Sequence, residues 1–308
     1  MNDRRSHLDA RAVTLVVLCT ALWGVNQVAT KVALAEIPPL LQASARSLGA
    51  ALLLALWARA RGITVWRHDG TLGAGLLVGL FFAAEFACIF IGLQYTTASR
   101  MAVFIYLAPF VVALGMPLIV PAERLDRWQV LGLAAAFSGV VWAFADGFTA
   151  PVAGPRQWLG DTLGLGAALL WGLTTLVLRG SRLSNAVPEK TLLYQLLVSG
   201  LALAAAAAVS AERWPPVLTG ASLWPLAFQT IVVTFASYLT WFWLLRHHPA
   251  TRLSAFTLLT PMFGLLAGVG LLGEPVTARL LLALLAVSLG IALVNKVGRA
   301  PRTTLQET

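Results

Sequence analysis

The sequence predicts an all-α membrane protein with ten transmembrane helices arranged as two inverted five-helix repeats. Three observations lead to this class. The 308 residues are 58% hydrophobic and only 11% charged, which leaves too little charge for helices that present one polar face to water. Apolar stretches of about 20 residues, enough to cross about 30 Å of hydrocarbon, recur along the chain. Short sequence matches also appear in the same order in both halves.

Ten apolar stretches are separated by breaks that contain proline or glycine, such as Pro38-Pro39, Gly70 and Pro215-Pro216. Helices satisfy their own backbone groups in lipid, whereas the alternating pattern of a membrane strand is absent here. The predicted spans are residues 12–34, 39–58, 72–95, 101–120, 128–146, 161–179, 191–211, 223–245, 253–273 and 277–295.

Positive charge is distributed unevenly between the two sides of the predicted membrane protein. Among the 22 Lys and Arg residues, the predicted loops of one side contain only Arg100, Arg156, Arg213 and Arg279. Lys31 and Arg46 fall within spans, and the other cations lie on the side of both termini. The positive-inside rule therefore predicts cytoplasmic termini, which requires an even number of spans. Because the net charge of +9 is spread over short loops, a nucleic-acid partner is not expected.

Sequence matches relate residues 12–147 to residues 160–296. The stretch Ala21–Gly24 resembles Leu169–Gly172, and Lys31 or Arg179 follows seven residues after the last glycine of each. Further pairs are Ala98–Arg100 with Ala250–Arg252, Leu107–Pro109 with Leu259–Pro261, Glu123 with Glu274, and Gly139 with Gly290. Such matches can recur by chance in apolar sequence. If they form a repeat, five helices per half place the second half upside down, an architecture common among transporters.

These residues give the chain a resemblance to the drug/metabolite transporter superfamily and its ten-helix EamA branch. The Trp-Gly and Leu-x-Pro stretches, both glutamates and both glycines carry the resemblance, which covers residues 12–296. Within the branch, the chain looks most like the YddG-type exporters of aromatic and neutral amino acids. The resemblance implies a multi-pass protein of the bacterial inner membrane that exports small metabolites. It also implies a site near the midplane, built by helices one, three, four, six, eight and nine.

Polar residues on the first and sixth helices are candidates for a substrate site. Trp23, Asn26 and Gln27 share one helical face with Thr30, and Trp171, Thr174 and Thr175 occupy the equivalent positions. Polar groups that face lipid are costly, so this stripe is expected to face protein or a water-filled cavity. Hydrogen bonding between helices is the alternative.

The eighth helix presents hydroxyl and aromatic side chains at helical spacing, namely Thr230, Thr234, Tyr238 and Trp241. A cavity lined by such groups would suit an amphipathic solute. Aromatic residues near span ends can instead belong to the interfacial belt, which fits Trp128, Trp158, Trp214 and Trp224.

Pro109 and Pro261 lie near the middle of the fourth and ninth predicted helices, with Tyr106 and Thr257 nearby. Each proline removes a backbone donor. A carbonyl freed in this way could bind solute, or the helix could bend there during transport, so both prolines are candidate hinges. A static kink is the alternative.

Glu85 is the only carboxylate deep within a predicted span. An ionisable group inside a membrane is a functional candidate by default. It could couple transport to protons or attract a substrate ammonium. It could also form a fixed ion pair with Lys31 or Arg46, or remain a neutral acid bonded within the bundle. Arg46 aligns with neutral Gln195 in the second half and is interpreted as structural.

The favoured function is a secondary transporter that exports amino acids or similar metabolites, without a cofactor. No GxxxxGK[ST] motif indicates ATP use, and no HExxH motif indicates a zinc enzyme. A passive channel is disfavoured because no ring of charges or glycine-rich filter is evident. A carrier of phosphorylated sugars or nucleotide sugars is the alternative substrate class, although only Lys31 and Arg46 supply cations within spans. The Gly264 and Gly268 pair allows a weak dimer, but a monomer with close internal packing is equally consistent.

Overall fold

A computed structural model of the chain describes residues 8–92, 95–96, 98–145, 148, 154–272 and 278–295. Its long elements are all helices, and each overlaps one predicted span. They are α1 (Ala10–Ala33), α2 (Pro39–Ala60), α3 (Leu72–Gly92), α4 (Ala98–Ile105 and Ala108–Ile119), α5 (Arg127–Ala143), α6 (Gln157–Gly180), α7 (Pro188–Val209), α8 (Gly220–His247), α9 (Ala250–Phe256 and Leu259–Leu272) and α10 (Ala278–Asn295). Eight helices within the described residues, all but α5 and α10, are long and apolar enough to cross a membrane.

Local sequence signals explain where several helices begin. The Asp9 carboxylate accepts a hydrogen bond of 2.8 Å from the backbone N–H of Ala12 and caps α1. Asp126 and Gln129 form a reciprocal capping box at the start of α5, which satisfies donors that the helix itself leaves free. Pro39 and Pro188 occupy the first position of α2 and α7, where the missing N–H costs nothing.

The two halves pack against each other with the symmetry that the repeat predicts. Helix α2 packs along α7, and α5 packs along α10. Helix α3 packs on α6 as α8 packs on α1, and α1 packs on α9 as α6 packs on α4. Each contact therefore has a counterpart in which the halves are exchanged. The structure is thus an all-α membrane protein built from two five-helix repeats.

Glycines allow the closest approaches between the halves. A Cβ atom on Gly290 of α10 would lie 2.6 Å from the backbone nitrogen of Ala136 on α5. Gly139 makes the reciprocal contact, since its Cβ would lie 3.1 Å from the Ala283 carbonyl. Gly24 of α1 faces Gly264 of α9 in the same way, at 2.6 Å from the Gly264 nitrogen. Gly264 therefore packs internally, and Gly268 lies outside the residues whose surroundings are described.

The helix ends define two faces of the bundle. We call the face where α1 begins and α10 ends the terminal face, and the other the opposite face. On the terminal face, Lys190 Nζ contacts Asp69 Oδ1 at 2.8 Å, and this hydrogen bond contributes most to lowering the pKa of Asp69 to about 2. On the opposite face, Arg100 binds Asp161 through two hydrogen bonds of 2.5 and 3.0 Å.

Helices α4 and α9 are each interrupted within the turn that precedes a proline. Tyr106 and Leu107 separate the segments of α4, and Thr257 and Leu258 separate those of α9. At both breaks, backbone N–H groups bond to the third preceding carbonyl, as Leu107 does to Phe104 and Leu258 to Ala255. The ring of a proline clashes with the carbonyl four residues before it, so the interruption precedes Pro109 and Pro261.

Helix α8 contains a π-helical section from Phe228 to Ser237. Its hydrogen bonds reach one residue further than in an α-helix. Residues on either side of this section therefore lie on different faces from those that α-helical spacing predicts. This departure changes the position of Thr234.

Candidate functional site

A cavity of about 640 Å³ lies between the two halves. Helices α1, α2, α3 and α4 of the first half and α6, α7, α8 and α9 of the second contribute side chains to its wall. The predicted site residues that line it are Trp23, Asn26, Gln27, Glu85, Tyr106, Trp171, Thr175, Tyr238 and Trp241. These predicted residues come from five helices that are far apart in sequence, and the fold brings them to one place.

Trp23 is fixed at one side of the cavity by three contacts with α8. Its ring packs edge-on against Trp241 and Tyr238, with centroids 5.3 and 5.8 Å away. Its Nε1 donates a hydrogen bond of 2.8 Å to Ser237 Oγ. The ring edge presented to the cavity therefore has a defined orientation, which a flexible aliphatic side chain would not have.

Further aromatic residues of the cavity wall lie on α3, and sequence analysis did not identify them as candidates. Phe82 contacts Tyr238 at 6.1 Å between centroids, and Phe82, Phe86 and Phe90 follow one another at 4.8 and 6.0 Å. All three phenylalanines line the cavity. Their spacing of four residues is the signal that could have found them, but it does not distinguish a cavity face from a lipid face in an apolar helix.

Polar groups lie on the wall formed by α1 and α4. Gln27 Nε2 donates a hydrogen bond of 3.5 Å to the Tyr106 hydroxyl, and the Tyr106 ring packs edge-on against Trp171 at 6.0 Å. The Oδ1 atom of Asn26 is buried without a hydrogen-bond partner. Because an unpaired buried acceptor is costly, Asn26 supplies a group that a solute donor can satisfy.

Thr234 and Pro109 do not line the cavity. Thr234 is fully buried within the π-helical section of α8, which separates it from the face of Tyr238 and Trp241. Its hydroxyl oxygen has no hydrogen-bond partner. Pro109 is also buried, whereas its counterpart Pro261 lines the cavity together with Thr260.

Two opposite charges lie in the cavity wall. Glu85 on α3 and Arg46 on α2 are 8% and 3% exposed, and their charges interact electrostatically. They form no ion pair with each other in the part of the chain that the structure describes. The Arg46 guanidinium instead lies 4.3 Å from the centroid of the Phe86 ring. The side chain of Lys31 lies outside the described residues.

Three apolar side chains close the cavity toward the terminal face. Leu178, Phe242 and Leu245 line the cavity and also a small pocket of about 30 Å³ on its other side. The small pocket is bordered by Arg179 and Arg246. In the other direction, the cavity reaches Leu34 and Phe144, which follow the ends of α1 and α5 at the opposite face.

A buried charge cluster lies directly behind this apolar partition. Arg179 forms an ion pair with Glu123 and donates a hydrogen bond of 3.1 Å to the Leu245 carbonyl. The second oxygen of Glu123 accepts a hydrogen bond of 3.2 Å from the backbone N–H of Thr251. The cluster therefore ties together the ends of α4, α6 and α8 and the start of α9. Glu274, the repeat counterpart of Glu123, lies outside the described residues.

Comparison with known proteins places the chain among membrane transporters. The model of the EamA-like transporter family matches residues 10–145 and 158–296. The chain is 30% identical to the uncharacterized transporter YvbV of Bacillus subtilis over 303 residues, 95% of this chain and 94% of that protein. It is 26% identical to the "Probable amino-acid metabolite efflux pump" of Salmonella typhimurium over 302 residues, 94% of this chain and 96% of that protein.

A solved crystal structure has the same fold. It superposes with a TM-score of 0.80 at 18% identity and covers 93% of this chain and 96% of that one. At this identity the likeness concerns the fold alone, and that fold agrees with the symmetric helix packing described above. The two family matches together span nearly all of the described helices. This chain therefore belongs to the EamA-like transporter family.

Proposed function

We propose that this transporter exports amino acids, in particular aromatic and neutral ones, or similar small metabolites across the bacterial inner membrane. The observation that carries the proposal is the cavity between the halves, whose wall combines aromatic and aliphatic side chains with a smaller number of polar ones. A cavity of this kind suits a solute with an apolar side chain and a compact polar end. The printed name of the Salmonella relative, an amino-acid metabolite efflux pump, supports the same substrate class.

The positions of the cavity and the charge cluster support transport by alternating access. The cavity reaches toward the opposite face, while Leu178, Phe242 and Leu245 separate it from the terminal face. Movement of the repeats 12–147 and 160–296 against each other would part these side chains and close the other end. The interruptions before Pro109 and Pro261 are the proposed hinges, because few helical hydrogen bonds resist bending there.

The terminal face is proposed to be cytoplasmic. Cations cluster at this face, where Arg59, Arg61 and Arg67 follow or end α2 and where Arg124 and Arg182 lie in turns. The positive-inside rule assigns such short cationic loops to the cytoplasm. In this orientation the cavity reaches toward the periplasm, which is the state that follows the release of an exported solute.

Phosphorylated sugars fit the cavity less well than amino acids do. A phosphate dianion requires several cations or donors. Among the described side chains that line the cavity, Arg46 is the only cation, and Glu85 lies close enough to repel a dianion. The balance of one positive and one negative side chain among the described residues of the cavity wall thus favours a zwitterionic or weakly polar solute.

Counterflow in proteoliposomes tests the proposed function. We expect purified protein in vesicles preloaded with unlabelled L-phenylalanine or L-leucine to accumulate the same labelled amino acid transiently, with saturation at high concentration. A carrier exchanges solute in this way because a loaded site reorients, whereas a channel does not. Glucose 6-phosphate is the matched anionic test solute. Exchange of glucose 6-phosphate without exchange of any amino acid would contradict the proposal, and so would the absence of counterflow for every solute.

A further inference from the structure

Arg46 is a buried cation without a fixed anionic partner. Three other cations of the described chain that are buried or partly buried have an anionic partner: Arg179 pairs with Glu123, Lys190 with Asp69 and Arg100 with Asp161. Arg46 forms no ion pair there, and its Nε is buried without a hydrogen-bond partner. A charge in a membrane protein is costly to bury and is usually paired. An anionic group of the bound solute would give Arg46 the ion-pair partner that it lacks.

The Arg46 guanidinium is positioned by the Phe86 ring and by a hydrogen bond to Tyr238, while its Nε keeps no partner. Its Cζ lies 4.3 Å from the centroid of the Phe86 ring, a cation–π contact that orients the side chain. The edge of a guanidinium donates hydrogen bonds in a planar fork that matches a carboxylate. Arg46 lines the cavity, so a solute carboxylate can reach this fork.

Glu85 supplies the opposite charge in the same cavity. The charges of Arg46 and Glu85 interact, yet the two groups remain beyond ion-pair distance. An α-amino acid carries its ammonium and its carboxylate on one carbon, so it requires opposite charges close together but not bound to each other. Arg46 and Glu85 provide this arrangement, with the aromatic side chains Phe82, Phe86 and Tyr238 alongside for the apolar part of the solute.

We propose that Arg46 is the carboxylate-binding residue of the transport site and that Glu85 binds the ammonium, so the cavity selects the zwitterionic form of α-amino acids. This inference rests on the proposed function and specifies how its substrate is recognised. It also assigns a binding role to a residue whose counterpart in the second half, Gln195, lines the same cavity without a charge.

Competition by analogues of one amino acid tests the proposal on the unaltered protein. The analogues are phenethylamine, which lacks the carboxylate, and 3-phenylpropionate, which lacks the ammonium. We expect each to inhibit phenylalanine counterflow only at concentrations about 10- to 100-fold higher than phenylalanine itself, as expected for loss of a hydrogen bond to a charged group. Inhibition by phenethylamine at the same concentration as phenylalanine would overturn the carboxylate-binding role.

The variant Arg46→Gln tests the residue itself. It introduces the side chain that the second half carries at the equivalent position. We expect the half-saturating concentration of phenylalanine to rise about 10- to 100-fold, while that of phenethylamine stays within about twofold. The control is Arg59→Gln, which removes an exposed arginine from the same helix and is expected to change neither value. Full discrimination against phenethylamine in a folded Arg46→Gln protein would overturn the proposal.

Two further outcomes separate the possible failures. If Arg46→Gln does not fold, Arg46→Lys decides, because it keeps the charge but loses the planar fork. This variant is then expected to weaken the binding of phenylalanine but not that of phenethylamine. If both analogues inhibit relative to phenylalanine as they do in the unaltered protein, the proposal is overturned. Counterflow of phenylalanine without discrimination between the analogues refutes the role of Arg46 alone. Absence of counterflow with any amino acid refutes the proposed function as well.

Discussion

The variant Arg179→Gln is expected to open the cavity toward the terminal face. Arg179 is the ion-pair partner of Glu123, and both side chains are only 5% exposed. Removing one partner of a buried pair leaves an uncompensated charge, which costs about 3–5 kcal/mol. Water entering from the terminal face would relieve this cost, so the state that is closed there loses stability relative to the open state. Leu178 and Leu245, which help to close the cavity toward the terminal face, would then move apart.

Reaction of an introduced cysteine measures this opening. Thr175→Cys, in a protein whose Cys19 and Cys88 are replaced by alanine, places a thiol in the cavity wall. A membrane-impermeant thiol reagent added from the terminal face is expected to react about tenfold faster or more in the Arg179→Gln background.

Two controls accompany the Arg179 variant. Arg182→Gln removes an exposed arginine close by and is expected to leave the reaction rate unchanged. Adding Glu123→Gln to Arg179→Gln removes the uncompensated carboxylate, so it is expected to restore much of the slow reaction. An equally slow reaction with and without Arg179 would show that the charge cluster does not hold this end closed.

Trp23→Ala is expected to reduce transport efficiency about 10- to 100-fold, because it removes aromatic contacts and a hydrogen bond at once. The ring holds Tyr238 and Trp241 in place and donates to Ser237. Its loss both enlarges the cavity and frees two aromatic side chains that would contact the solute. The measurement is the initial rate of amino-acid counterflow at several concentrations, together with the amount of protein recovered in the membrane.

Trp224→Ala is the matched control for this prediction. Trp224 lies near the start of α8 and is 79% exposed, so its truncation should leave transport within about twofold of the unaltered protein, as for surface substitutions in general. Trp171→Ala, on the other side of the cavity, is expected to resemble Trp23→Ala. Normal transport by both cavity variants would show that the solute does not pass through this cavity.

Hydrophobicity and turn residues were sufficient to predict the helices. The crossing distance of the bilayer sets the length of a span, and Pro39 and Pro188 mark helix starts because proline is favoured at the first position of a helix. Pro109 and Pro261 were predicted as hinges, with static kinks as the alternative, and the structure interrupts α4 and α9 in the turn before each proline. The interruptions lie there because a proline disturbs the preceding turn.

Polarity in the sequence marked several residues that the structure places in the cavity wall, whereas the apolar residues of the wall carried no such signal. Asn26 and Gln27 stand out in an apolar helix because polar groups avoid lipid. Phe82 and Phe86 carry no such signal, since phenylalanine is as stable against lipid as in a cavity. Arg46 was interpreted as structural because its counterpart is neutral, although the structure places both in the cavity wall.

Thr234 shows a different kind of failure. Its predicted position depended on regular α-helical spacing from Tyr238, and the π-helical section between Phe228 and Ser237 changes that spacing. No residue type in this section predicts the departure from α-helical spacing, because a π-helical turn depends on packing against neighbouring helices. Residues on the two sides of such a section that α-helical spacing assigns to one face therefore do not share that face.

Access to one cavity position from both faces tests the central claim, that a single cavity between the two repeats carries the solute across. Ala102 lines the cavity, and Ala102→Cys in a background without Cys19 and Cys88 adds little volume. The account predicts reaction with an impermeant reagent from either face during amino-acid exchange, and protection by saturating substrate. Reaction from one face only, unchanged by substrate, would contradict it.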